Sequence, residues 1–322
     1  MALPNEHLLS LSHEFLNVFE AISGQHPGFR PMHARGVLLT GTFTPTPEAA
    51  HLSRAQHLSQ RVTPITVRFS NFSGIPTTPD NDPDADPRGC AVRFHLTNTK
   101  STDLVSHSTP LFPAGNASDF MAMLRAIVAS QSVTGPNSPL AQHMRMHASV
   151  RAFMERPKPT PSSFARETYY GVTAFCFQNK RQTCRFGRYR IAPEEGNDFL
   201  PDAVAQAQPP FFLFDEIRAR VHRQPVRFRL VVQVADEDDP INDSTIQWPD
   251  DRLLLDLGRL ELTSLSANDN GQQQQLIFDP LPRLDGIEPT DDPLLMLRSI
   301  MYQLSGQRRR AAGPTVMPSD KQ

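Results

Sequence analysis

The sequence predicts an α+β domain: an antiparallel barrel, or a strongly curved sheet, of about eight strands with helices packed outside it. Three observations predict it. Apolar residues alternate with a period of two in short segments bounded by turn residues. Helical segments are inserted between and around these strands. Alternating strand–helix units, which would build a parallel sheet, are absent.

In chain order, Leu8–Ile22 has helical spacing, and Thr46-Pro47-Glu48 reads as an N-cap with proline at the first position, opening a helix to about Gln60. Strands are expected at Gly36–Phe43, Ile65–Phe72, Cys90–Leu96 and Asp103–Ser108. Asn116 or Ser118 caps a helix through Phe120, Leu124 and Ile127, and a second helix surrounds His143–Met154. Val172–Phe177 and Arg185–Ile191 flank a polar turn and predict a hairpin. Phe214–His222 reads as helix, Val226–Val234 as a cleanly alternating strand, and Arg252–Leu265 as one or two strands. Asp292-Pro293 caps a last helix, from Leu294 to about Leu304. No repeat or linker divides the chain, so residues 1–310 form one expected domain and 311–322 a loose tail.

Composition narrows the class. Among 322 residues, 39% are hydrophobic and 20% charged, which excludes a disordered chain. Lys plus Arg is 32 and Asp plus Glu is 34, a net charge of −2, and no membrane or nucleic-acid partner is expected. No apolar run approaches the ~18 residues of a spanning helix. Glu6, Glu14 and Glu20 break any resemblance of the start to a secretory signal, so the expected location is cytoplasmic. Three cysteines without a CxxC indicate neither a disulfide scaffold nor a zinc site; buried thiols are expected. The 30 prolines imply many loops. There are 20 Phe but only 4 Tyr and 1 Trp, so each tyrosine hydroxyl raises the question of its partner.

Several motifs reduce to ordinary readings. Asp80–Asp86 resembles a calcium loop but lacks Gly at its sixth position and Glu at its twelfth, which is Ala91. His143 and His147 stand one helical turn apart with no third ligand in view. Tyr302 is more informative. Arg298 lies one turn earlier on the same face, and a cation there favours a phenolate, a known axial ligand of haem iron. Arg68 stands inside an apolar strand, where a guanidinium wants an anion, either a structural carboxylate or an anionic cofactor. With Arg30 and Arg309 it could meet two propionates. Each of these features, taken singly, also has an ordinary surface or core explanation.

In order along the chain, the pieces resemble the haem catalase family from about Arg30 to Arg310. Arg30-Pro-Met-His33-Ala-Arg-Gly36 resembles the segment with the distal histidine, and Thr63-Pro-Ile-Thr-Val-Arg68-Phe-Ser70 the strand after it. Asp86-Pro-Arg-Gly-Cys-Ala-Val-Arg-Phe94 is similar to the family's DPRG segment. Asp103-Leu-Val-Ser-His107-Ser-Thr-Pro110 falls where the family has a distal asparagine. Trp248-Pro249, Phe278-Asp279-Pro280 and Gly286-Ile287-Glu288 follow in family order, and Arg298-Ser-Ile-Met-Tyr302 matches the proximal R-x-x-x-Y.

The resemblance implies an eight-stranded antiparallel barrel with flanking helices, holding haem b and its iron. Tyr302 would be the axial ligand and Arg298 its charge partner. His33 would be the acid–base residue, with Ser70 fixing its ring. Arg30, Arg68 and Arg309 would bind the propionates, and Phe120 would pack on the macrocycle. His107 occupies the asparagine position, with Ser106 and Ser108 one residue to either side. Gln303 and Leu304 replace the Pro and Asp that usually follow the ligand. The family's N-terminal arm and everything beyond the proximal helix are missing, which resembles the short catalase-related peroxidases; the tetramer's arms are among the missing parts, and a homodimer is the working expectation.

The function implied is a haem peroxidase that reduces hydrogen peroxide or organic hydroperoxides with a small organic reductant, through high-valent iron. His107 is expected to titrate near neutral pH and to lack a donor on the correct nitrogen, which would disfavour dismutation. The alternatives are a true catalase, an enzyme rearranging lipid hydroperoxides, and a non-enzymatic haem-storage or haem-sensing barrel.

Overall fold

The computed structural model describes residues 6–313 and 315, and all its strand pairings are antiparallel. The strands are β1 (Gly36–Pro45), β2 (Thr63–Ser70), β3 (Gly89–His95), β4 (Ser101–His107), β5 (Tyr169–Tyr170), β6 (Phe175–Gln178), β7 (Cys184–Pro193), β8 (Val226–Val234), β9 (Leu254–Leu265) and β10 (Ile287–Pro289). Eight of them close a barrel in the order β1-β2-β3-β4-β5-β7-β8-β9, with β9 returning to β1. The first half of β7 pairs with β6, which carries β10 outside the ring. The helices are α1 (Glu6–Ser23), α2 (Ala49–Leu52), α3 (Gln56–Ser59), α4 (Ala117–Ser130), α5 (Pro139–Met146), α6 (Ala148–Glu155), α7 (Asp202–Gln206), α8 (Phe212–Arg223), α9 (Asp269–Gln275) and α10 (Leu295–Ala311). None is long and apolar enough to cross a membrane.

Period-two alternation sends Val37, Val67, Phe69, Val92 and Leu260 into the barrel, where they form one apolar core. The opposite face of β2 is buried as well: Thr66, Arg68 and Ser70 are all covered. Ser70 and Arg68 are met there by His33, Arg68 also by Gln273 of α9, and Thr66 by His95, while a second apolar cluster joins Phe15 and Phe19 of α1, Met121 and Leu124 of α4 and Met301 of α10. A buried polar row on the outside of an apolar barrel is where a functional site is to be sought.

Several expectations change. The helix expected from Thr46 to Gln60 is two single turns, α2 and α3, interrupted at Ser53, whose hydroxyl donates to Gly286 O at 2.6 Å. Asn116, rather than Ser118, caps α4, accepting from Asp119 N at 3.0 Å. The helix around His143–Met154 breaks at His147, so His143 and His147 stack their rings at 3.9 Å across a junction. The last helix runs on to Ala311, seven residues past the expected end, and most of the expected tail lies outside the described residues. Asp292 does not cap that helix, whose N-cap is Leu294 with no side-chain cap; its carboxylate accepts from Leu294 N at 2.9 Å, in the turn just before it. Contrary to the expectation of free thiols, Cys176 and Cys184 are bonded across the β6–β7 hairpin, whose strands hold them 5.6 Å apart at Cα; Cys90 stays free and buried.

His57 marks a pH liability in the core. Its ring lies 4.6 Å from Phe94, its Nδ1 is buried without a partner, and burial pushes its pKa down to about 3. The folded state therefore binds fewer protons than the unfolded state below 6.5, and stability falls as the pH drops through that window. Replacing His57 by Leu should flatten this acid loss by up to about 1.4 kcal/mol per pH unit. Urea denaturation at pH 6.5 and at about pH 4 measures the slope, and an unchanged slope contradicts the assignment.

Candidate functional site

The site grows from one row of side chains on the outer face of the barrel. Antiparallel register places Gly36 opposite Ser70, Ser70 opposite Gly89, and Gly89 opposite His107. Directly opposed residues share a face, so Ser70 and His107 project from the same side with a glycine between them. His33 leans over this gap. Its Nδ1 shares a hydrogen bond of 3.1 Å with Ser70 Oγ, and its ring is also hydrogen-bonded to the Asn71 backbone. Gly89 makes the approach feasible: a Cβ there would lie 2.6 Å from Ser70 Oγ and 2.8 Å from His33 Nδ1.

The backbone of His33 is left-handed, φ 58°, an unfavourable conformation for a residue with a Cβ. It is held there because His33 N donates to Phe72 O at 2.7 Å and Ala34 N to Ser73 O at 2.9 Å. The ring edge rests on Phe72, 5.3 Å between centroids. Burial, followed by the charge of Arg68, pushes the His33 pKa down to about 3, so the imidazole is neutral across ordinary pH.

His107 is neutral too. Burial, then Arg298, lowers its pKa to about 3, the reverse of the expected titration near neutrality. Its Nδ1 meets Thr109 Oγ1 at 2.7 Å and Thr109 N at 3.3 Å, while its Nε2 is buried with no partner. The neighbouring serines have their hydroxyls engaged elsewhere. Ser106 turns its hydroxyl to Cys90 O at 2.7 Å, and Ser108 Oγ accepts from Arg88 N at 2.9 Å.

Beside the histidines lie the three arginines. Arg68 donates from Nε to Gln273 Oε1 at 2.9 Å and from Nη2 to His33 O at 2.9 Å. Arg30 and Arg309 both donate to Leu276 O, at 3.0 and 2.8 Å. Among the described residues no carboxylate forms an ion pair with any of the three, and Arg309 Nε has no partner at all. Burial first and mutual repulsion second lower the pKa of Arg68 to about 9, and burial with Arg310 lowers that of Arg309 to about 10. Arg30 is shifted downward by the same two causes. Asp269 acts on Arg30 and Arg68 only from a distance, and cations so placed without an ion pair call for an anion.

Helix α10 brings the remaining groups. Arg298, Tyr302, Ser305 and Arg309 follow one another at helical spacing along a single stripe. Arg309 donates to Ser305 Oγ at 2.9 Å, and Tyr302, half-buried, packs against the helical cluster within electrostatic reach of Arg30. Gly306 lets the helix press onto the chain before it, since a Cβ there would lie 2.3 Å from Ile277 Cδ1. Arg298 turns toward Thr173 Oγ1 at 3.4 Å and lies 6.0 Å from the Phe112 ring; no hydrogen bond joins it to the Tyr302 hydroxyl. Phe120 stacks within the helical cluster, 5.3 Å from Phe15 and 5.1 Å from Phe112.

An unpaired trio of guanidinium groups, a phenol on the same stripe as one of them and two neutral imidazoles fit an anionic iron porphyrin: the cations suit its two carboxylates and the phenol its metal. Sequence reasoning missed Gln273, which also donates to Gly36 O at 2.9 Å, because the run of four glutamines in α9 shows no apolar period. It missed Thr109 and Gly89 as parts of the site as well; a pattern of strand register, which a single sequence does not print, would have been needed to find them.

Comparison with known proteins agrees with this geometry. A family model described as Catalase matches residues 18–318. The chain is 32% identical over 309 residues to the catalase-related peroxidase of Mycolicibacterium paratuberculosis, covering 94% of this chain and 97% of that one. It is 31% identical to the catalase-related peroxidase of Synechococcus elongatus, covering 92% and 88%. Among solved structures, a fungal catalase aligns with a TM-score of 0.77 at 19% identity, over 92% of this chain and 62% of that one. Catalase A from Saccharomyces cerevisiae gives 0.75 at 19% identity, over 92% and 64%. The chain thus spans less than two-thirds of those solved chains.

Gly89→Ala tests the packing of the row. The added methyl displaces the His33 ring or breaks its bond to Ser70, so the reaction with hydrogen peroxide should slow by about tenfold or more while the folded content by circular dichroism stays close to that of the parent. Unchanged peroxide kinetics would show that the ring does not need this seat.

Proposed function

The chain belongs to the catalase family, and from that premise we propose that it is a haem b peroxidase reducing hydrogen peroxide or small organic hydroperoxides with an organic electron donor. It is an oxidoreductase that acts on peroxide, and haem is its family's cofactor. The observation that carries the proposal is the joint placement of His33 and the unpaired cations: a neutral, clamped imidazole beside a cradle for a dianion. Tyr302 would hold the iron, Arg30, Arg68 and Arg309 the propionates, and Phe112 and Phe120 an apolar wall.

When bound, haem iron supplies the redox chemistry, taking up two oxidising equivalents from peroxide and passing them to the donor. The protein manages the proton. In the tautomer in which Nδ1 of His33 donates to Ser70 Oγ, Nε2 keeps its lone pair and takes the proton from one peroxide oxygen. A group with so low a pKa does not retain that proton, and hands it to the departing oxygen.

Peroxidase turnover is favoured over dismutation because the relatives matching nearly the whole chain are called catalase-related peroxidases. One observation favours dismutation as a second activity: His107 stays neutral and its Nε2 is unpartnered, so the expected obstacle at this position is not there. Haem-loaded protein given hydrogen peroxide and a phenolic dye should oxidise the dye faster than it evolves oxygen; rapid oxygen evolution with no dye oxidation rejects the proposal. Tyr302→Phe should lose the phenolate charge-transfer bands and at least about a hundredfold in peroxide reactivity.

The pH dependence has a definite sign. The reactive form of His33 is neutral, and its pKa is lowered from 6.5 to about 3. The stopped-flow rate of the peroxide reaction should therefore be flat from pH 8 down to about 5 and decline only in stronger acid. An inflection near 6.5 would contradict this environment for the ring.

A further inference from the structure

A neutral imidazole has one donor and one acceptor nitrogen, and the assignment decides what it can offer a ligand. For His107 the structure makes that assignment. The backbone N–H of Thr109 is directed at Nδ1 at 3.3 Å, and a backbone N–H can only donate. Nδ1 is therefore the acceptor, and Nε2 carries the proton. Thr109 Oγ1, 2.7 Å from the same nitrogen, offers its hydrogen as well. The turn that aims these groups is itself fixed: Ser108 N donates to Arg88 O at 2.8 Å, Arg88 N donates to Ser108 Oγ at 2.9 Å, and Thr109 is buried. The Nε2–H so created is buried without an acceptor, on the row that holds Ser70 and Gly89 beneath His33. A buried donor without a partner is costly, and it is tolerated where a ligand supplies the acceptor.

We propose that Thr109 is a positioning residue of this site: it holds His107 as the Nε2–H tautomer, so that the imidazole donates a hydrogen bond to an oxygen of bound peroxide. This inference rests on the reading of the row as the peroxide site, and it assigns to a Thr–His pair the donor role that the family gives to a carboxamide. The Thr109 hydroxyl and backbone do not touch the reacting atoms; they act through the ring.

Fluoride tests it in the haem-loaded ferric protein. It is a small anionic acceptor that binds the iron, and its charge-transfer band moves when a hydrogen bond is donated to it. Thr109→Val removes the close 2.7 Å hydroxyl contact and leaves only the longer 3.3 Å backbone N–H to hold Nδ1 as the acceptor, so the Nε2–H tautomer is less strongly held and fluoride affinity should fall about three- to tenfold, the range of one hydrogen bond. The band should move toward that of His107→Leu, which has no donor. Thr109→Ser should restore both, and in Thr109→Val the KM for peroxide should rise by a larger factor than kcat falls. A Thr109→Val protein matching the parent in affinity and band position overturns the role of Thr109. Equal fluoride affinity in the parent and in His107→Leu overturns the inference while leaving dye oxidation, and the peroxidase reading, intact. A parent protein that takes up no haem overturns both.

Discussion

Three guanidinium groups, Arg68 and Arg309 buried and Arg30 half-buried, lie within electrostatic reach of one another, and among the described residues none forms an ion pair with a carboxylate. Burial without neutralisation is the constraint on which the rest of the structure depends. Gln273 orients Arg68, the carbonyl of Leu276 serves both Arg30 and Arg309, and Asp269, which accepts from Leu38 N and Gln273, makes its ion pair with Arg218 at 4.0 Å rather than with any of the three. The same positive field adds to burial in keeping His33 neutral. On the proposed reading, a site that would receive a dianion thereby also sets the protonation state of its own base.

The barrel supplies the precision that this arrangement needs. Strand register places Ser70, Gly89 and His107 on one line, and the positions without a Cβ leave room for the groups that come from elsewhere. At Gly36 the space is taken by the Arg68 guanidinium, where a Cβ would lie 2.3 Å from Cζ; at Gly89 it is taken by His33. Loops and helices thus bring His33, Arg30 and Arg309 up to a surface built by the strands that carry Arg68, Ser70 and His107, and the barrel interior behind it holds the apolar core.

Much of this was legible in the sequence. The alternation in Val226–Val234 read as a strand with those bounds because one face is core and the other is not. Arg68 was conspicuous because a cation inside an apolar strand has few explanations, and His33, Ser70 and Tyr302 were found through ordered resemblance to a family. What stayed hidden depends on pairing. The two-residue strand β5 is too short to show a period, yet it closes the ring between β4 and β7. The broken helix after Thr46 carries good start signals, and its interruption is decided by the remote carbonyl of Gly286. The tautomer of His107 depends on the direction of one N–H in a turn, which residue types do not encode.

The contact at Gly306 has a mechanical consequence. Helix α10 is seated on Ile277 at the one position with no side chain to prevent it. Sliding the helix by a single residue would turn it by about 100° and carry Tyr302 and Arg309 away from their present neighbours together. The phenol and the cation are thus parts of one rigid lever with a notched fulcrum, so on the proposed reading a grip on metal and a grip on charge would be gained or forfeited in the same movement.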